Sequence, residues 1–164
     1  MLFDRFKQVA AFVFAFHGVC TDGRVCIGTG GSPTYVLHMR DLYALRKASR
    51  HYPVAIIGER IDPEVVRWMT DQGIAGLSVL DHTDSSALCD WIAVNHLHTG
   101  ELLCMGSDDS DLSLLGRVDF GACTADAVED IKAAATYISP KNGGAGAVRD
   151  VIEKVMRLQG VWGR

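Results

Sequence analysis

Apolar and polar positions fall into two alternating patterns along this chain. Short unbroken apolar runs give way to stretches in which apolar residues recur every three or four positions. Residues 9–16 form the first unbroken run. It is bounded by polar residues and too continuous for a half-exposed strand, so it predicts a strand buried on both faces. Residues 54–57, 77–80, 101–105, 118–123 and the short 137–138 predict further strands. Residues 40–50 place Leu42, Leu45 and Ala48 on one helical face. Asp62-Pro63-Glu64 sets an N-cap, a proline at the first helical position and an acidic first turn ahead of Val65, Val66 and Met69; Gly73 ends that helix. A helix starting at Asp84 or Ser85 carries Leu88, Trp91 and Ile92, and shorter ones cover 108–117 and 126–135. The last, 147–159, has Val148, Val151, Ile152, Val155 and Leu158 on its apolar face.

Between the first strand and the first of these helices, residues 24–27 and 34–38 flank Gly28-Thr29-Gly30-Gly31-Ser32-Pro33, a hairpin signature with a glycine turn. Val25, Ile27, Tyr35 and Leu37 alternate with less apolar neighbours, as one buried face of a hairpin requires. Strands alternating with helices across short connections predict an α/β fold, a doubly wound and mostly parallel sheet with a protruding β-hairpin. No repeat, linker or low-complexity segment interrupts the pattern, so one domain is expected over 1–164.

Composition narrows the function classes. At 164 residues with 48% hydrophobic and 22% charged side chains, the chain is ordinary globular material rather than a disordered or membrane protein. A net charge of -4 without a Lys/Arg cluster argues against nucleic acid as a partner. The apolar run at 9–16 is too short to span a membrane, and no signal-peptide pattern precedes it, so a cytoplasmic location is expected. Cys20, Cys26, Cys89, Cys104 and Cys123 are odd in number and lack a C-x-x-C pair. They read as reduced, mostly buried thiols rather than disulfides or a zinc site. His96 and His98, two apart and without a second pair, read as loop residues.

In an open α/β sheet the ligand crevice lies at the carboxyl ends of the strands. The segments there are Ala15-Phe16-His17-Gly18-Val19-Cys20-Thr21-Asp22-Gly23, Gly58-Glu59-Arg60, Asp81-His82-Thr83-Asp84-Ser85 and Gly106-Ser107-Asp108-Asp109-Ser110-Asp111. A strand ending in x-Phe-x-Gly-Val-x-Thr-Asp-Gly resembles the first motif of capless haloacid-dehalogenase (HAD) phosphatases, and most of all the 3-deoxy-D-manno-octulosonate 8-phosphate (KDO 8-phosphate) phosphatases. The resemblance runs through the whole chain and implies a HAD-like Rossmannoid fold with no cap domain.

It also implies roles that this chain does not fill. The family has a nucleophilic, magnesium-binding Asp where Ala15 stands, and an acid/base Asp where His17 stands. Loss of a nucleophile from a catalytic unit can cost on the order of 10^6 in turnover. His17 is read either as a phosphoryl acceptor or anion holder, or as a histidine hydrogen-bonded in a vacated pocket. Gly58 replaces a phosphate-binding Thr or Ser, although its backbone N–H remains a donor; Arg60 matches, and its bland role is to pair with an acid such as Asp62. Asp84 falls where the family has a charge-neutralising lysine, and caps the next helix in the bland reading. Ser107 replaces the metal-binding Asp of the fourth motif, while Asp108 and Asp111 match. No metal is expected, with Asp108 a weak candidate alone, because magnesium needs near-octahedral oxygens and one or two protein carboxylates. Ala145 replaces an anion-binding Arg in a glycine-rich turn, while Arg149 remains. That turn completes no dinucleotide or Walker fingerprint.

Losses at five separate places in the sequence, with Gly18, Thr21-Asp22-Gly23, Asp41, Gly106 and Gly143-Gly144 kept, predict a catalytically degenerate KDO 8-phosphate phosphatase-like protein. Its expected role is an oligomeric binding or assembly module. A related domain of animal CMP-sialic acid synthetases shows a similar loss. The resemblance implies a homotetramer built through the 24–38 hairpin, with hetero-assembly with an active paralogue as a further option. Ligand-binding candidates are His17, Gly58, Arg60, Asp108 and Asp111. The rival is a magnesium-dependent phosphatase of KDO 8-phosphate or a related sugar-acid phosphate, using His17 and Asp108. A third reading is a sensor that binds a sugar phosphate without cleaving it.

Overall fold

The computed structural model describes residues 1–163. Its centre is a sheet of β1 (Ala11–Ala15), β4 (Val54–Glu59), β5 (Ala75–Val79), β6 (Leu102–Gly106), β7 (Phe120–Cys123) and β8 (Tyr137–Ile138). The spatial order is β5-β4-β1-β6-β7-β8, and every adjacent pair is parallel. All five residues of β1 are buried because side chains leave its two faces alternately and both faces are covered. Phe12 and Phe14 stack at 5.9 Å and meet α2 (Met39–Ala48), α3 (Pro63–Asp71) and α7 (Ala147–Leu158). Ala11 and Val13 point the other way, toward α4 (Ser86–Val94) and α5 (Leu112–Leu115). α6 (Glu129–Ala134) completes that second layer near β7, so the α/β, doubly wound expectation holds.

α7 has the most regular apolar face: Val148, Val151, Ile152, Val155 and Met156 are fully buried. Asp62 caps α3 by accepting from the Glu64 N–H at 2.8 Å, and Pro63 occupies the first turn, as the sequence predicts.

Several boundaries differ. α1 (Leu2–Gln8) is a helix that the charged start of the chain conceals, since Phe6 is its one buried residue. Phe6 lies edge-on to Phe120 and Tyr137, and Gln159 donates to the carbonyls that end α1, at Phe6, Lys7 and Val9. β1 therefore starts at Ala11 rather than Val9, and Phe16 belongs to the turn after it. β5 begins at Ala75, earlier than expected, and leaves Leu80 at 78% exposure. At Gly76 a side chain would press on Val66 and Met69 of α3 at 3.1–3.3 Å. The helix expected over 108–117 is a tight turn, Asp109–Asp111, followed by the single turn of α5.

The hairpin departs most. β2 (Cys26–Ile27) and β3 (Pro33–Thr34) pair over two positions, Cys26 with Thr34 and Ile27 with Pro33. After them the chain bends inward, and Tyr35 and Leu37 pack on the core, with Tyr35 edge-on to Phe16 at 4.9 Å. Val25 and Ile27 stay 50% and 66% exposed, so the four residues do not share one buried face. Among the described residues the five thiols are free, with Cys20, Cys104 and Cys123 buried. No helix there is long and apolar enough to cross a membrane.

Candidate functional site

The strand order reverses at β1: the chain builds β4 and β5 on one side of it, then β6, β7 and β8 on the other. Such a reversal opens a crevice beyond the carboxyl ends of the central strands. Ala15, Gly58-Glu59 and Ser107 stand at those ends.

The turn after β1 is held from several directions. Thr21, 1% exposed, accepts on Oγ1 from the N–H groups of Gly18 (3.2 Å) and Gly23 (3.1 Å). Gly18 has φ +80° and lies so near Ser107 that a Cβ would fall 2.3 Å from its Oγ. The glycine-rich segment presses on the other side: a Cβ on Gly143 would sit 1.7 Å from the Gly18 carbonyl oxygen. The Gly144 N–H donates to Val19 O at 2.9 Å, and the Gly143 N–H to Asp126 at 3.0 Å. Asp41 of α2, 2% exposed, accepts from the N–H groups of Arg149 (2.8 Å) and Gly146 (3.2 Å) and so caps α7. Burial pushes its carboxyl above the ordinary range, with those two amides, His38 and Arg149 pulling the other way.

Beside this frame lies a small cleft of about 70 Å³. Ala15, Phe16, Ile57, Gly58, Leu88 and Leu114 give it apolar walls, and His17, Glu59, His82, Asp84, Asp111 and Arg117 supply charge or hydrogen bonds. His17 Nε2 lies 3.2 Å from the Glu59 carbonyl oxygen, and its ring leans on Phe16 and Tyr35, at 5.0 and 5.6 Å between centroids. Ala15 brings no side-chain oxygen. The Ser107 hydroxyl donates to the His17 carbonyl at 3.4 Å, a long bond. A Cβ on Gly58 would stand 3.0 Å from Phe16 Cβ and 3.1 Å from Ile61, so any side chain there must displace core atoms.

The remaining acids are engaged with nearby hydrogen-bond donors. Asp84 Oδ1 accepts from the N–H (2.9 Å) and hydroxyl (2.6 Å) of Ser86 at the start of α4, and these bonds hold its carboxyl below the usual range. Asp108 accepts from the Asp109 N–H at 2.8 Å. Asp111 Oδ2 accepts from the N–H groups of Ser107 (2.8 Å) and Asp108 (3.1 Å). Burial pushes the Asp111 carboxyl up against those bonds.

Of the sequence-predicted residues, the cleft brings together Ala15, His17, Gly58, Asp84 and Asp111. Ser107, Asp108 and Arg60 do not line it. Arg60 has φ +49° and is exposed, and no ion pair joins it to Asp62, whose carboxylate caps α3. Ala145 lies apart as well, in a surface depression with Arg40, Lys141 and Arg149, so the six replaced positions do not all meet in one place. Glu59, His82, Ser113 and Arg117 were not predicted. The one signal for them was the position of Glu59 and His82 just past predicted strands.

No protein-family model matches the chain. It is similar to the 3-deoxy-D-manno-octulosonate 8-phosphate phosphatase KdsC of Salmonella typhi, 26% identical over 155 residues that span 94% of this chain and 82% of that enzyme. It is 20% identical over 155 residues to N-acylneuraminate cytidylyltransferase B of Danio rerio, matching 92% of this chain but spanning only 37% of that protein. Among solved structures, a probable YrbI-family phosphatase from Pseudomonas syringae superposes with a TM-score of 0.90 at 28% identity, over 99% of this chain and 93% of that one.

Proposed function

We propose that this chain, a KDO 8-phosphate phosphatase-like member of the haloacid dehalogenase superfamily, keeps the phosphatase frame without its hydrolytic chemistry and works as an oligomeric binding or assembly module. The observation that carries this reading is Ala15. It stands buried at the carboxyl end of the central strand, at the reversal point of the sheet, with a methyl group where attack on phosphorus needs a carboxylate. Around it, Gly58 lacks the hydroxyl and a side chain there would crowd Phe16 and Ile61, Ser107 offers a hydroxyl in place of a carboxylate, and Asp84, Asp108 and Asp111 already accept local hydrogen bonds. Magnesium calls for near-octahedral oxygens with one or two protein carboxylates, and neither Ala15 nor Ser107 supplies one.

The assembly half of the proposal rests on the hairpin. Val25, Ile27 and Val36 expose 50%, 66% and 76% of their surface on a projection that has only two paired positions of its own. Apolar side chains on a weakly self-supported ribbon favour cover by another chain. We read the 24–38 hairpin as the contact of a homotetramer, with co-assembly with an active paralogue as its variant. Light scattering on the purified chain tests this: a tetramer is expected, reduced to smaller species by Ile27→Ser with Val36→Ser. A wild-type monomer at micromolar concentration contradicts it.

A further inference from the structure

We propose that the cleft beside Ala15 binds a compact aliphatic monocarboxylate, its hydrocarbon end among the apolar walls and its carboxylate on Arg117 at the rim. Ala15, Phe16, Ile57, Val79, Leu88 and Leu114 build those walls. All of them except Ile57 are at most 6% exposed, so the floor is already dry protein surface. A recess that is mostly apolar, with few polar groups at fixed points, takes a ligand with a hydrocarbon body oriented by one or two polar atoms. The cleft volume of about 70 Å³ sets the size. It is roughly twice the ~30 Å³ that a water occupies in the liquid, which suits a body of a few carbons with its head group outside.

The head group follows from Arg117, which lines the cleft from the loop between α5 and β7. The three carboxylates of the lining are engaged already. Glu59 accepts from the His82 N–H (3.0 Å), Asp84 from the Ser86 N–H (2.9 Å) and Asp111 from the Ser107 N–H (2.8 Å). His17 Nε2 has the Glu59 carbonyl, and His82 Nδ1 has the Glu59 and Asp81 carboxylates. Arg117 is the one charged residue of the lining whose side chain has neither a hydrogen bond nor an ion pair among the described residues. The paired donors of a guanidinium match the two oxygens of a carboxylate. A phosphate ester fits less well: it carries up to two negative charges toward three carboxylates, and the lining has no lysine to offset them. Such a ligand presupposes a cleft that binds rather than hydrolyses, the reading proposed above; phosphate release and carboxylate binding are separate measurements, so each can fail alone.

Amide chemical-shift titration of the isotope-labelled full chain with isobutyrate tests the proposal. Saturable binding is expected with a Kd on the order of 1 mM, the range open to a ligand of so few atoms. Isobutyramide keeps the shape without the charge, and acetate keeps the charge with two carbons fewer. Each should bind about 10-fold more weakly. Arg117→Gln should also lose about 10-fold and Arg117→Lys less, while Arg50→Gln, an exposed arginine just before β4, should change nothing. Arg117 is exposed, so the melting curves of its variants should match wild type. If a variant fails to fold, isobutyrate against isobutyramide on the wild-type chain still decides. The proposal is overturned by no saturable binding of isobutyrate up to about 50 mM, by equal affinity for isobutyramide, by equal affinity in Arg117→Gln, or by tighter binding of inorganic phosphate.

Discussion

On one side of the turn after β1, atoms have almost no freedom: Thr21 Oγ1 holds two amides, Asp41 holds two more, and Gly143 and Gly144 press against backbone that admits no Cβ. On the other side, the cleft is walled by small residues at the strand ends, with His17, Glu59 and Arg117 reaching solvent around it. The two regions lie a few residues apart in one segment, yet they answer to different demands. The first fixes how the glycine-rich loop, α2 and α7 dock on β1, and any change there is a packing change. The second has no comparable interlock, so its residue types are free to follow function. A likeness in the first region therefore reports the fold, while activity has to be argued from the second.

Substitutions should separate the regions by size of effect. Gly143→Ala places a methyl group on the Gly18 carbonyl and should cost about 4 kcal/mol, a fall in Tm on the order of 10 °C by calorimetry. A small effect would mean that the loop moves freely and the interlock is not the constraint. Asp41→Ala comes next, at about 2 kcal/mol, from two orphaned amides at the start of α7. Its titration has a definite sign. A carboxyl raised by folding adds stability below its unfolded pKa and loses it as pH rises through the folded value. The Tm lead of wild type over Asp41→Asn should therefore grow as pH falls from about 7 toward about 4. In the cleft the effects shrink: Gly58→Ser should cost about 1 kcal/mol from crowding by Phe16 and Ile61, and His17→Ala less than about 0.5 kcal/mol in chemical denaturation. Equal losses on both sides would erase the distinction.

Much of the fold was legible because its signals are local or strongly periodic. The unbroken apolar run before Phe16 announced a strand covered on both faces, Asp62-Pro63 announced the start of α3, and Val148, Val151, Ile152 and Val155 announced the buried face of α7, although Leu158, expected on that face, is 37% exposed and Met156 is buried in its stead. α1 was hidden because a helix with one buried residue has no stripe to read. The start of β5 was hidden because Ala75 and Gly76 carry little hydrophobic signal, and Gly76 is set by contact with α3. Tyr35 and Leu37 went to the core rather than to the hairpin because the ladder ends after two pairs, which tertiary packing decides. In the site, Ala15, His17, Gly58, Asp84 and Asp111 line the cleft, while Ser107 and Asp108 do not. Arg60 turned out of the cleft through a left-handed backbone, and His82 and Arg117 entered it from loops whose course no spacing encodes.

The central claim is that the cleft beside Ala15 does not hydrolyse phosphate esters. Phosphate release from KDO 8-phosphate and from an aryl phosphate, with and without magnesium, measures it directly when an active KDO 8-phosphate phosphatase runs alongside as the control. No release above background in either condition is the expected result. Magnesium-dependent release near the control rate would contradict the account, and its loss in His17→Ala would place His17 in the reaction.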